Sequence, residues 1–284
     1  MAFWYDGDLF DDGSVEEGGS RFSQAPNDSA GWASRPSVPL DNAGLRFGAT
    51  VFTTLRIYGG DLNHPFTQWQ GHCDRLKQSF QKFGWFSPNW SAIQQGCQQL
   101  QLQYPILRVT LFPDGREWIT GRELPSQLAS QQQQGVACWV APADYARSLP
   151  THKTGNYLAC WLARQQAEKQ GAHEAILTNQ QGDWLETSTG NLWGWAHGKW
   201  WTPRGNQCLP GIMQARLQRL LSAAGQPVSC PVWSNLQLGD FEAIAYSNCA
   251  VELVPIHTIL KGATKLEYDP QHASIKALQE KIRH

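Results

Sequence analysis

Apolar residues recur along this chain at two spacings, and the spacing assigns most of its elements. Leu76, Phe80 and Phe83 stand at i, i+4 and i+7, which predicts an amphipathic helix over 70–83 that carries His72 and Arg75. Tyr157, Leu158, Trp161, Leu162 and Ala163 are spaced for one apolar face of a second helix, stopped near Gly171. Leu217, Leu220, Leu221 and Ala224 predict a third, opened by Leu209-Pro210-Gly211-Ile212-Met213, and 273–282 predicts a closing helix. β-rich runs cover 3–5, 47–58, 105–110, 117–120, 136–140, 175–178, 183–186, 192–195, 199–201 and 243–246. Gly, Pro, Asn and Asp clusters such as Asp6-Gly7, Gly59-Gly60 and Pro113-Asp114-Gly115 separate them. The run 105–110 pairs with 117–120 as a hairpin, and a hairpin partner for 47–58 is expected near 61–65. Strands and helices mix without regular βαβ alternation, so the fold class is α+β.

Composition adds the domain plan. The polar, low-complexity run 125–135 reads as an interdomain linker, which divides the chain into 1–124 and 136–284. Within the first part, 11–37 is rich in Gly, Ser, Asp, Glu and Pro and reads as a loop or a partly disordered insertion. A formal net charge of −1 gives no global field to attract nucleic acid or an anionic membrane, so any anion must be met by local donors. The seven cysteines are scattered and form no Cys-x-x-Cys pair, which argues against a disulfide framework and a zinc ribbon, and no metal site is expected. A reducing cytoplasm fits that usage. Residues 1–6 lack a basic stretch followed by an apolar one, and no apolar run approaches membrane-spanning length. Fourteen tryptophans suit core and interface packing.

The chemistry centres on Lys153, in a proline-marked loop just ahead of the second predicted helix. The positive end of a helix dipole disfavours an ammonium there, which prepares a lysine to condense with an aldehyde. Alone, such a lysine is an ordinary surface residue. Glu186, however, ends a strand before Thr187-Ser188-Thr189-Gly190-Asn191, and Arg75 rides a helix on which arginines ordinarily meet solvent. Gly211, Ile212 and Met213 open a helix whose free N–H groups form an anion site, and Ser247-Asn248-Cys249 is a polar turn after a buried strand. An amine, a carboxylate for a pyridinium nitrogen and donors for a phosphate are together what pyridoxal phosphate requires.

Five motifs stand in an order that resembles the fold-type IV, class IV aminotransferase-like, pyridoxal-phosphate enzymes over about residues 38–256. They are His72-x-x-Arg75-Leu76, His152-Lys153-Thr154-x-Asn156, Glu186-x-x-x-x-Asn191-Leu192, Leu209-Pro210-Gly211-Ile212 and the stretch 248–255. The resemblance implies a smaller N-terminal α/β domain, a larger C-terminal β-rich domain with helices, and a homodimer. It implies that Lys153 carries the cofactor, that Glu186 meets the pyridine nitrogen and that Arg75 binds the phosphate. Gly211, Ile212 and Met213 match the phosphate-binding helix start, Asn248 and Cys249 match a second phosphate-side turn, and Tyr157 is placed to reach the ring hydroxyl. Cys249 stands where relatives often carry threonine, and Asp41-Asn42-Ala43-Gly44 replaces a common Asp-Arg-Gly turn.

Two runs bear on the branch. Lys153-Thr154-Gly155-Asn156-Tyr157 is one residue shorter between lysine and asparagine than the Lys-Ala-Gly-Gly-Asn-Tyr type of branched-chain aminotransferases. Phe52-Thr53-Thr54-Leu55-Arg56 is similar to the Phe-Thr-Thr-x-Arg run of aminodeoxychorismate lyases, where branched-chain enzymes usually show Phe-Glu-Gly-x-Arg. The implied activity is 4-amino-4-deoxychorismate lyase, which releases pyruvate and forms 4-aminobenzoate for folate synthesis. A class IV aminotransferase acting on branched-chain or D-amino acids is the alternative within the family. A non-catalytic cofactor binder is the alternative outside it, and it would have no use for the lysine and glutamate pair. Arg108 is the leading residue for a substrate carboxylate, with Arg116 and Arg122 behind it and Thr54 and Arg56 beside it.

Overall fold

A computed structural model describes residues 2–11, 38–203, 206–234 and 238–283. The chain divides into two compact units, 1–123 and 124–284. Apart from Asp11, the stretch 11–37 that reads as a loop or insertion lies outside the described residues.

The first unit is an antiparallel sheet backed by two helices. Its strands are β1 (Ala2–Tyr5), β2 (Asp8–Asp11), β3 (Val51–Arg56), β4 (Ile106–Leu111) and β5 (Glu117–Arg122), in the order β2-β1-β5-β4-β3. Its helices are α1 (Ala43–Phe47), α2 (Trp69–Phe83) and α3 (Trp90–Leu100). Side chains alternate across a pleated strand, so each strand sends every second residue to the same face. One face offers Trp4, Val51, Leu55, Leu107, Val109, Leu111 and Ile119, which pack with Leu76 and Phe80 of α2 and Ile93, Cys97 and Leu100 of α3. The 61–65 segment does not supply a hairpin strand: a lone bridge joins Tyr58 to Asp61, and β3 pairs instead with the distant β4. The beginning of the 47–58 run is also helical, because Asn42 accepts the Gly44 N–H and Gly48, at φ 64°, closes α1.

The second unit holds α4 (Leu128–Gln134), β6 (Val136–Val140), α5 (Leu158–Lys169), β7 (Glu174–Thr178), β8 (Trp184–Thr187), β9 (Asn191–Ala196) and β10 (Lys199–Trp201). It continues with α6 (Ile212–Ala223), β11 (Ala243–Asn248), β12 (Glu252–Lys261), β13 (Thr264–Glu267) and α7 (Ala273–Arg283). The sheet order is β10-β9-β11-β12-β6-β7-β8, with β13 also on β12. The β12–β6 and β6–β7 pairs are parallel and the others antiparallel. The polar 125–135 run contains α4 rather than only a linker, since glutamine is a good helix former and Gln132 is tied to the Val251 carbonyl and to Glu252.

One apolar assignment changes. Leu158, Trp161 and Leu162 are 60%, 55% and 40% exposed, while Cys160, Ala163 and Ala167 form the buried stripe of α5 against β6 and β7. Both stripes have helical spacing, and the small residues win because they let the helix approach the sheet closely. The hairpin β9–β10 is core: Trp193 and Trp200 pack with Met213, Leu217, Ile275 and Leu278. Among the described residues no helix is long and apolar enough to cross a membrane.

Candidate active site

In the second unit the matched residues are joined by one chain of contacts. Lys153 lies in the loop before α5, but Leu158 is the first helical residue and Tyr157 takes the N-cap, so Thr154, Gly155, Asn156 and Tyr157 intervene between lysine and helix. The helix dipole therefore acts on the lysine less directly than its sequence position suggests. Lys153 Nζ stands 5.1 Å from the Tyr157 ring centre. The Tyr157 hydroxyl donates to the Ser188 carbonyl at 2.7 Å. Burial, reinforced by Cys160 and opposed by Arg147, pushes that phenol well above its ordinary range, so it remains a donor.

Glu186 sits near the end of β8 with its side chain 7% exposed. A carboxylate so buried needs partners, and among the described residues it has two. Oε1 accepts from Arg147 Nε at 2.8 Å, and Oε2 accepts the Leu209 N–H at 3.0 Å. Arg147 is absent from the sequence motifs. Its position between Tyr145 and the proline of the lysine loop carries no periodicity, and the only signal for it is the chemical need of Glu186 for a cation.

The turn after Glu186 is braced from behind. Thr187 Oγ1 accepts the Gly190 N–H at 2.9 Å, while Ser188 and Thr189 hydroxyls donate to Glu174 at 2.6 and 2.7 Å. Burial raises the Glu174 carboxyl above its usual value, against the pull of those hydroxyl donors. Asn248 bonds from Nδ2 to the Thr189 carbonyl at 3.3 Å, and its Oδ1 accepts the Ala250 and Val251 N–H groups at 2.9 and 3.0 Å. Asn248 thus shapes the 248–251 turn and anchors it to the 187–190 turn. Cys249 is half-buried within it.

The start of α6 is held by Asn191, whose Nδ2 donates to the Leu209 carbonyl at 2.8 Å. A Cβ on Gly211 would lie 2.0 Å from Asn191 Oδ1, so the glycine lets the chain pass this amide. Among the described residues no side chain caps this twelve-residue helix, which leaves the first-turn N–H groups at Ile212 and Met213 for an anion. The donor set fits pyridoxal phosphate: an amine for its aldehyde, a buried carboxylate for its nitrogen and an uncapped helix start for its phosphate.

The remaining predicted residues belong to the first unit. Arg75 is 8% exposed rather than solvated, and its Nη2 donates to Thr53 Oγ1 at 2.7 Å. Thr53 Oγ1 also lies 2.5 Å from Nδ1 of the fully buried His72. On the sheet face away from α2 and α3, Arg108 stands between Thr54 and Thr120, and Ile106 stands between Arg56 and Arg122. Three arginines thereby share one face. Arg108 lies over the Phe52 ring at 3.6 Å. Arg116 is set apart: its guanidinium holds Asp114 at 2.6 Å and the Tyr5 hydroxyl at 3.0 Å, so its charge is already matched.

The model of the amino-transferase class IV family matches residues 50–259. The chain belongs to that family. Its members are pyridoxal-phosphate enzymes, and the described site contains the groups such a cofactor needs. A curated relative, the aminodeoxychorismate lyase of Vibrio harveyi, is 22% identical over 251 residues, covering 81% of this chain and 90% of the relative. The branched-chain amino acid aminotransferase of Escherichia coli has the same fold at 20% identity, with a TM-score of 0.76 over 98% of this chain and 92% of that one. A hypothetical aminotransferase of Mycobacterium tuberculosis, in a form with α-ketoglutarate and PMP bound, superposes with a TM-score of 0.78 at 17% identity, over 100% and 98% of the two chains. This class IV protein therefore has the fold-type IV architecture.

Proposed function

We propose that this class IV enzyme is a pyridoxal-phosphate-dependent 4-amino-4-deoxychorismate lyase. The observation that carries the reading is the cationic sheet face of the first unit, where Arg56 and Arg122 flank Ile106 of β4 and Arg108 stands two residues further along the same strand. Such a face suits a substrate with two carboxylates better than an amino acid with one carboxylate and an apolar side chain. The Thr53-Thr54 pair supports it. Its hydroxyls part to opposite faces, Thr53 towards Arg75 and Thr54 into the row of Arg108. The Vibrio harveyi relative points the same way.

Pyridoxal phosphate, when bound, supplies an aldehyde that captures amines and a conjugated ring that accepts an electron pair. Lys153 would hold the aldehyde, Glu186 the ring nitrogen, and the N–H groups of Gly211, Ile212 and Met213 the phosphate, the group to which the family resemblance also assigns Arg75. With the substrate amine held in its place, Lys153 would be free to take the proton from the amine-bearing carbon. The carbon–oxygen bond to the enolpyruvyl group breaks, the substrate ring becomes aromatic, and Lys153 can return its proton to the departing enol carbon. Pyruvate and 4-aminobenzoate leave in equal amounts, with no co-substrate consumed. Arg108 is the first choice for a substrate carboxylate, with Arg56 and Arg122 beside it. Arg116 is already occupied by Asp114.

The enzyme is proposed to act as a homodimer in the cytoplasm, on a small-molecule substrate. The exposed apolar stripe of α5, Leu158, Trp161 and Leu162, supports an association surface. The test is to incubate the purified holoenzyme with aminodeoxychorismate and, separately, with leucine or a D-amino acid plus 2-oxoglutarate. Equimolar pyruvate and 4-aminobenzoate are expected. Glutamate from the second mixture, with no pyruvate from the first, would replace the lyase by an aminotransferase.

A further inference from the structure

Arg147 joins the two halves of the site that sequence reading treats separately. Its Nε meets Glu186 at 2.8 Å, its Nη1 donates to the His152 carbonyl at 3.0 Å, and its Nη2 donates to the Pro150 carbonyl. The side chain is 8% exposed, so these bonds are largely shielded from solvent. A guanidinium is planar and rigid, which fixes the three acceptors close to one plane. Two of them are peptide oxygens of the lysine loop, one and three residues before Lys153, and the third is the carboxylate matched to the pyridine nitrogen. Glu186 in turn holds the Leu209 N–H at the approach to the phosphate-binding helix start.

We propose that Arg147 is a positioning residue that sets the Lys153 loop and Glu186 in register with each other, so that one cofactor can meet both. The inference rests on the cofactor roles given to Lys153 and Glu186 above. A plain structural ion pair explains it less well. Holding a buried carboxylate needs a single cation, and continuing the fork to two loop carbonyls adds nothing to charge neutrality. Charge alone would not hold the loop. The guanidinium stays protonated, for although burial opposes its charge, the Glu186 carboxylate raises its pKa above the ordinary arginine value.

The two connections can be separated by substitution and by choice of ligand. In Arg147→Lys an ammonium can still pair with Glu186 but cannot span both loop carbonyls. In Arg147→Met both connections are lost. Pyridoxamine 5'-phosphate presents the same ring nitrogen and phosphate but no aldehyde, so it probes the site without the lysine. The cofactor-free R147K protein is expected to bind pyridoxamine phosphate within about threefold of wild type. The fraction of bound pyridoxal phosphate that borohydride fixes to Lys153 should fall at least about tenfold. Turnover should fall on the order of 10²-fold with KM little changed, as for a misplacement of about 1 Å at the reacting atoms. R147M should lose affinity for both ligands.

Unchanged borohydride fixation in R147K would overturn the inference. So would equal weakening of both ligands in proportion to a lowered melting temperature, which is what a merely structural pair would give. Should R147M fail to fold, R147K carries the test by itself. Wild-type protein that binds neither ligand would remove the cofactor reading and this inference with it, whereas wild-type binding with an unaltered R147K removes this inference alone.

Discussion

Replacing Gly211 by alanine isolates a single contact. The backbone there has φ −71° and ψ 137°, which any L-residue adopts, so the substitution strains no dihedral. The added methyl would lie 2.0 Å from Asn191 Oδ1 and 3.3 Å from Gln214 Cβ, and the first distance is far below any real Cβ contact. Asn191 is 5% exposed and its amide is bonded to the Leu209 carbonyl, so it cannot turn away without leaving a buried group unpaired. The lost bond with its unsatisfied partner, together with the overpacking, should destabilise the second unit by about 2–4 kcal/mol. For a unit of this size that lowers the melting temperature by roughly 5–15 °C. The assay is thermal unfolding of the cofactor-free protein followed by tryptophan fluorescence, and then titration with pyridoxal phosphate. Affinity should fall at least about tenfold, because the first turn of α6 moves with the contact. Removing the obstacle supplies the control: Asn191→Ala with Gly211→Ala should be within about 0.5 kcal/mol of Asn191→Ala alone, a strong departure from additivity. A G211A protein that melts within about 1 °C of wild type would refute the reasoning.

Glu186→Gln should cut turnover far more than cofactor affinity, since an amide cannot accept from both Arg147 and the Leu209 N–H and cannot hold a pyridinium proton; equal activity would place Glu186 away from the ring nitrogen. Glu174→Gln tests the buried brace of the 187–190 turn through pH. Burial raises the Glu174 carboxyl in the folded state above its ordinary 4.5, so between those values the folded protein holds more protons than the unfolded one. Wild-type stability should therefore be fullest below that window and decline as pH rises through it, a decline that E174Q lacks; urea melts over a pH series check this, and parallel profiles would contradict it. Sedimentation at micromolar concentration should show about twice the 31.8 kDa chain mass, and a monomer with full activity would show that one chain completes the site.

What the sequence revealed depended on how local each signal was. The stripe of Leu76, Phe80 and Phe83 marked α2 because those residues lie within about two turns of one another. The equally real stripe of Ile93, Cys97 and Leu100 in α3 is diluted by glutamines, and its periodicity does not stand out. In α5 two stripes competed, and periodicity could not tell that the small residues would be the buried ones. The pairing of β3 with β4 was hidden because the strands are separated by two helices, while Gly59-Gly60 advertised a nearer turn. At the site, motif order picks out Lys153 and Glu186 as candidates, and the arginine helix is legible from its pattern. Arg147 is not, since its link to Glu186 spans 39 residues and has no sequence signature. A helical arginine ordinarily meets solvent, whereas Arg75 turns inward to donate to Thr53, whose hydroxyl also meets His72.

The central claim is that Lys153 bears the cofactor, and peptide mapping tests it most directly. The purified protein would be reconstituted with pyridoxal phosphate, reduced with borohydride, digested and analysed by mass spectrometry. The account predicts one phosphopyridoxyl group per chain, on the peptide containing Lys153, together with loss of the visible absorption band in Lys153→Ala. A label on another lysine, or an unchanged band and label in the Lys153→Ala protein, would contradict it.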